Sequence, residues 1–309
     1  MKTIIFLRAV QNGPKRIPMG LLFAVAVTFL HHDATAQVVN LGTAYSFAML
    51  AGSQITDAGG ESTIITGDVG LYPTTGAALG LTAGQVPGGT IYRAETADAL
   101  LNRAQHDLTL AFNTAAGRSP TIDYGLGDNQ LGGRTLFPGV YRFGHAPTAN
   151  LNGTLTLDAN GISDAIWIFQ ATSDLLTAAG APGTPGSSVV LINGAKACNV
   201  FWEVGSSATI GTYSHFVGNI MADQSITMNT GATLDGSALA RIAMVALDHN
   251  SIVTCAVVPE PGTTLLLASG LVILFAFRRR LFNRAANSRR FRLRQLSARR
   301  RAPGKTTVA

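Results

Sequence analysis

The chain has 309 residues, 47% of them hydrophobic and 13% charged, with 34 glycines and a formal net charge of +6. Of its 23 Lys and Arg, 4 precede residue 37 and 12 follow residue 258, which leaves 7 against 15 Asp and Glu in between, a balance of 7 − 15 = −8. The central body is acidic, and this excludes nucleic-acid binding, which needs a basic face.

In chain order, Lys2, Arg8, Lys15 and Arg16 lead into the apolar stretch Met19–Leu30, and Ala34-Thr35-Ala36 offers an A-x-A cleavage site. This pattern predicts a secretory signal peptide over 1–36, cut by signal peptidase. Residues 37–258 then make one domain with room for a large core. Its short apolar stretches, "STIITGDVG", "GTLTLDANG", "DAIWIFQATSD" and "NVFWEVGSSATIGT", alternate with glycines and read as brief strands between turns. Residues 94–117 read differently. Ala97, Leu100, Leu101, Ala104, Leu108, Ala111 and Phe112 recur at three- and four-residue steps before Gly117, which predicts one long amphipathic helix.

The second half of the body repeats. Thr209-Ile-Gly-Thr212 returns 18 residues later as Thr227-Met-Asn-Thr230, and Gly218–Ala222 returns as Gly236–Ala240. Eighteen residues suit one coil of a three-sided β-solenoid, in which each coil buries its inward side chains on its neighbours. A β-sandwich also has short, evenly spaced strands, but the repeated pairs favour the solenoid. A third turn at Val245–Asp248 keeps the spacing and places Val245 and Leu247 where threonines would extend the array.

Beyond the body, Pro259-Glu260-Pro261 precedes an apolar run, Thr263–Phe277, closed by Arg278, Arg279 and Arg280. About 20 apolar residues cross a bilayer, and an arginine cluster stays on the cytoplasmic side. Residues 259–280 are therefore expected to form a transmembrane segment, and 281–309 a basic cytoplasmic tail. Cys198 and Cys255 form an even pair in an exported body, where a disulfide is the default. Such a bridge would stabilise by roughly 4 kcal/mol on chain-entropy grounds.

Catalytic signals are weak. The acids Asp57, Asp68, Asp123, Asp128, Asp158 and Asp164 mostly sit beside Gly or Asn, where Asp caps its own backbone. The histidines are scattered, no nucleophile elbow or H-E-x-x-H occurs, and no cofactor or metal is expected. Trp167 and Trp202 occupy similar strands and read as packed residues. What remains is a surface. Alternation places Thr227 and Asn229 outward if Ile226 and Met228 point inward, with Thr209 beside Thr227. Thr212 and Thr230 close the two repeats, and Thr154 and Thr156 form a second alternating patch. Threonine is also common on any exposed strand.

Six blocks, among them "VNLGTAYSFAMLAGSQITD", "LGGRTLFPGVYRF" and "FVGNIMADQSITMNTGATLDGSALA", occur in the order found in the ice-binding-protein-like domain, which the body resembles over 38–255. The resemblance implies a mostly β fold, an irregular three-sided β-helix with one long α-helix packed alongside, and a non-catalytic surface that adsorbs to ice. The Pro-Glu-Pro motif, apolar span and arginines resemble the PEP-CTERM sorting signal, which implies recognition by an exosortase and arrival at the cell surface or outside it. Such signals usually stop soon after the arginines, whereas 29 residues follow Arg280 here. Two function classes result: an ice-binding protein, or an adhesin of the cell surface or exopolysaccharide matrix with no affinity for ice.

Overall fold

The computed structural model of the chain describes residues 39–124, 129–143 and 148–255. The strands in them pair in parallel and wind into coils with three faces. One face is a six-stranded sheet of Ile55–Asp57, Val245–Leu247, Ile226–Met228, Ala208–Ile210, Leu175–Thr177 and Ala149–Leu151. A second carries Trp167–Ala171, Val200–Val204, Phe47–Ala51 and the later halves of His215–Ala222 and Thr233–Ala240. The third runs through Thr154–Asp158, Ser188–Ile192, the early halves of those two long strands, Ser251–Val253 and Ile64–Thr66.

Alternation within each short strand decides what goes inside. On the second face the inward residues Tyr141, Phe169 and Trp202 are register partners, followed by Ile220, Ala238 and Met49. Their rings stack, Tyr141 on Phe169 at 5.5 Å and Phe169 on Trp202 at 4.0 Å between centroids, a contact that adds to plain burial. Both tryptophans are buried and both indole N–H groups donate to backbone carbonyls, Trp167 to Leu136 and Trp202 to Val217. Their strands differ in phase, however, because Trp167 lies beside Val200 and Trp202 beside Phe169.

The chain turns from the third face to the second at Gly218 and Gly236, which are register partners with φ of 111° and 151°. A Cβ on Gly236 would lie 2.0 Å from the Gly218 carbonyl oxygen, so only glycine lets the coils stack there.

Helix α1, Ala94–Ala116, lies on the outward side of the second face. Leu101, Ala104, Leu108, Ala111, Phe112 and Ala115 are buried in a cluster with Phe47, Leu50, Ile168, Phe201, Met221 and Leu239. The helix stripe matches expectation except at Leu100, which is 36% exposed at its margin, and at Ala97, which is only partly buried and has non-helical backbone angles.

Residues from the start of the body stack on the last coil: Met49 pairs with Ala238, Ile55 with Val245, and Ile64 with Ser251. One expectation is corrected. The two cysteines are not bridged. Both are free thiols, and the Cys198 sulfur is turned to the Cys255 carbonyl oxygen, to which it donates at 2.8 Å. The Tyr45 hydroxyl shares that carbonyl at 3.4 Å. Among the described residues no helix is long and apolar enough to cross a membrane. The expected signal peptide and the apolar span of 259–280 lie outside them.

Candidate functional site

The six-stranded face presents one outward residue per strand. In register order these are Asn150, Leu176, Thr209, Thr227, Ala246 and Thr56. Their neighbours Leu175, Ala208, Ile226, Val245 and Ile55 point inward and are at most 1% exposed, which fixes the outward set by the two-residue period of a strand. Paired parallel strands lie about 4.8 Å apart, so the row is a regular ladder of methyl, hydroxyl and amide groups with no ionisable member.

Of the expected site residues, the structure brings Thr209 and Thr227 side by side at the centre of this ladder. Asn229, Thr212 and Thr230 stand at its edge, where the chain leaves the face. There the Thr212 hydroxyl donates to the Gly180 carbonyl at 2.7 Å and the Thr230 hydroxyl donates to the Asp248 carboxylate. The Thr230 and His249 hydrogen bonds hold the Asp248 acid below the usual carboxylate range. These two threonines tie neighbouring coils together. Asn229 holds the same corner through its backbone, its carbonyl accepting from the Asn250 amide at 2.9 Å.

Thr154 and Thr156 are on the third face, away from the ladder. Thr154 shares a hydroxyl contact with Ser188 at 3.0 Å. Their row continues through His215, whose Nδ1 bonds the Thr233 hydroxyl at 2.7 Å and whose Nε2 faces Asp235 at 3.9 Å. Exposed Ile64, Val190 and Val253 complete an irregular, partly charged surface.

The third coil shows Ala246 outward, not Val245 and Leu247, which are buried. Four residues, 241–244, connect Ala240 to Val245, whereas three, 223–225, connect Ala222 to Ile226, so the repeat slips by one. Thr56 was missed, although Ile55-Thr56 repeats the Ile226-Thr227 dipeptide. No cluster of three or more metal-ligating side chains exists among the described residues.

The ice-binding-like family matches residues 49–253. The chain belongs to the ice-binding-like family. It is 41% identical to an ice-binding protein of Nostoc sp. (strain HG1), over 84% of this chain and 94% of the relative. It is 36% identical to one of Flavobacterium frigoris (strain PS1), over 71% and 77%. Among solved structures, a glycosylated ice-binding protein from an Arctic yeast superposes with a TM-score of 0.65 at 30% identity, covering 73% of this chain and 97% of the other. The PEP-CTERM protein-sorting motif matches residues 257–280, which include Pro259, Glu260, Pro261 and Arg278–Arg280.

Proposed function

We propose that this member of the ice-binding-like family is exported and adsorbs to ice through its six-stranded face, without catalysis. The observation that carries the reading is the ladder itself. Thr209 and Thr227, adjacent at its centre, offer methyls that tolerate ordered water and hydroxyls that anchor it, and no charge in the row interrupts them. Thr56 and Asn150 extend the ladder to either side. Inhibition of ice recrystallisation by purified 37–258 tests the reading, and absence of both inhibition and thermal hysteresis would refute it.

The sorting motif supports the route. Signal peptidase releases the N-terminus near Gln37, the apolar span holds the protein in the inner membrane, and an exosortase processes the tail near Pro259–Pro261. The same motif favours a second reading, a surface or matrix adhesin that engages exopolysaccharide. Recovery of an intact 278–309 segment on the surface-exposed protein would overturn the processing step.

A further inference from the structure

The C-terminal turn of helix α1 leaves part of the second face uncovered. Beyond Phe112 the strand ends form a cavity of about 540 Å³, bounded by Asp123, Arg142, Gln170, Thr172, Glu203 and Asp223, within the ~300–1,000 Å³ of small-molecule sites. Arg142, Gln170 and Glu203 are register partners on successive coils, so their side chains stand in one row. Gly205 keeps the wall beside Thr172 low, since a Cβ there would lie 2.5 Å from the Thr172 carbonyl oxygen.

Glu203 is the anomaly. It is 6% exposed and lines the cavity, and its carboxylate oxygens reach that cavity instead of being sealed in the core. A carboxyl so far withdrawn from bulk water gains from donors placed in the cavity. Its neighbours are committed elsewhere. The Gln170 amide nitrogen donates to the carbonyls of Ala115 at 2.7 Å and Arg118 at 2.8 Å, and its oxygen accepts from Arg142 Nε at 3.0 Å. Arg241 pairs with Asp223. Burial pushes the Glu203 acid up to about 7, although Arg142 and Arg241 pull it down.

The groups around the cavity define the ligand. Three carboxylates, of Asp123, Glu203 and Asp223, share the site with the guanidinium groups of Arg142 and Arg241. The guanidinium groups oppose a cation and the carboxylates oppose an anion. A neutral molecule bearing several hydroxyls meets both, because each hydroxyl donates to a carboxylate and accepts from a guanidinium. We propose that this cavity binds a neutral saccharide, with Glu203 accepting from its hydroxyls and Arg142 donating to them. The site lies on a different face from the ladder, and the proposal stands whether or not the protein binds ice.

The test is titration of purified full-length protein with glucose and cellobiose, followed by saturation-transfer NMR, with glucuronate and glucosamine as charged comparisons. Saturable binding of a neutral sugar is expected, at least tenfold tighter than either charged one. Glu203→Gln should weaken it at least tenfold while leaving recrystallisation inhibition unchanged. If that variant fails to fold, Thr172→Trp, at an exposed position on the cavity wall, fills the site and should abolish binding. Absence of saturable binding, preference for a charged sugar, or undiminished binding by these variants would overturn the proposal.

Discussion

Thr209 and Thr227 are register partners on adjacent parallel strands of the six-stranded face, 18 residues apart in the chain. Each is flanked by buried residues, Ala208 and Ile210 on one strand, Ile226 and Met228 on the other, so the strand alternation leaves the two side chains no choice but to face outward together. A tyrosine at 227 would stand above a flat row whose adsorption to ice depends on many weak simultaneous contacts. Thr227→Tyr should lose most recrystallisation inhibition while its stability changes by only about 0.5 kcal/mol, as surface substitutions usually do. Thr156→Tyr, on the third face, should inhibit as wild type does. Equal activity in both variants would remove this face from consideration.

Gly236 makes a complementary prediction about the scaffold. Its positive φ and the approach of the Gly218 carbonyl leave no space for a Cβ. Strain at such positions costs of order 1–3 kcal/mol, and the backbone clash adds to it. Gly236→Ala should therefore lower the free energy of unfolding by roughly 3 kcal/mol or more in urea titration, and recrystallisation inhibition should fall only as the folded fraction falls. A substitution cost below about 1 kcal/mol would show that the corner can open without unstacking the coils.

How far these features could be read from the sequence depended on whether the signal was local. The helix announced itself by a 3.6-residue stripe, and the Thr209–Thr227 pairing by an 18-residue repeat, because two adjacent coils of equal length preserve register. Ala246 was misplaced because the 241–244 connection has one extra residue, and a one-residue slip turns every side chain to the other face. The stacking of Met49 on Ala238 and of Ile55 on Val245 had no local trace at all: it joins residues about 190 positions apart, and parallel pairing leaves no turn signature between partners. Glu203 was invisible for a related reason, since its burial comes from the helix end at Phe112 and Ala116 and from the neighbouring coils that carry Gln170 and Met221, none of which leaves a local mark beside it in the sequence.

Cys198 and Cys255 were expected to bond because compartment and even count favour it, yet neither fixes where a sulfur points. The Cys255 thiol, followed by the Tyr45 hydroxyl, holds the Cys198 thiol below the ordinary range, while burial opposes it; the Cys255 thiol is pushed up. The thiolate is the reactive form. Iodoacetamide at pH 8 should therefore modify Cys198 well before Cys255 in the folded protein, and both should react after denaturation without reductant. Peptide mapping that finds neither thiol available in the denatured, unreduced protein would contradict the free-thiol arrangement.

Glu203 supplies a pH dependence with a definite sign. Burial raises its acid from the model-peptide value of 4.5 to about 7 in the folded protein. Between those values the folded state holds a proton that the unfolded chain has released, so the stabilisation is complete below pH 4.5 and is lost as pH rises through 7. A difference of 7 − 4.5 pKa units corresponds to on the order of 3 kcal/mol. Gln cannot ionise, so Glu203→Gln lacks this dependence. The unfolding free energy of the variant relative to wild type should increase by roughly that amount between pH 4 and pH 8, with the variant the more stable protein at pH 8. Other titrating groups cancel in the comparison. A difference that stays constant across this range would mean that the Glu203 carboxylate is already paired or hydrated in the folded protein, and its burial would not be the source of any unmet demand for a donor.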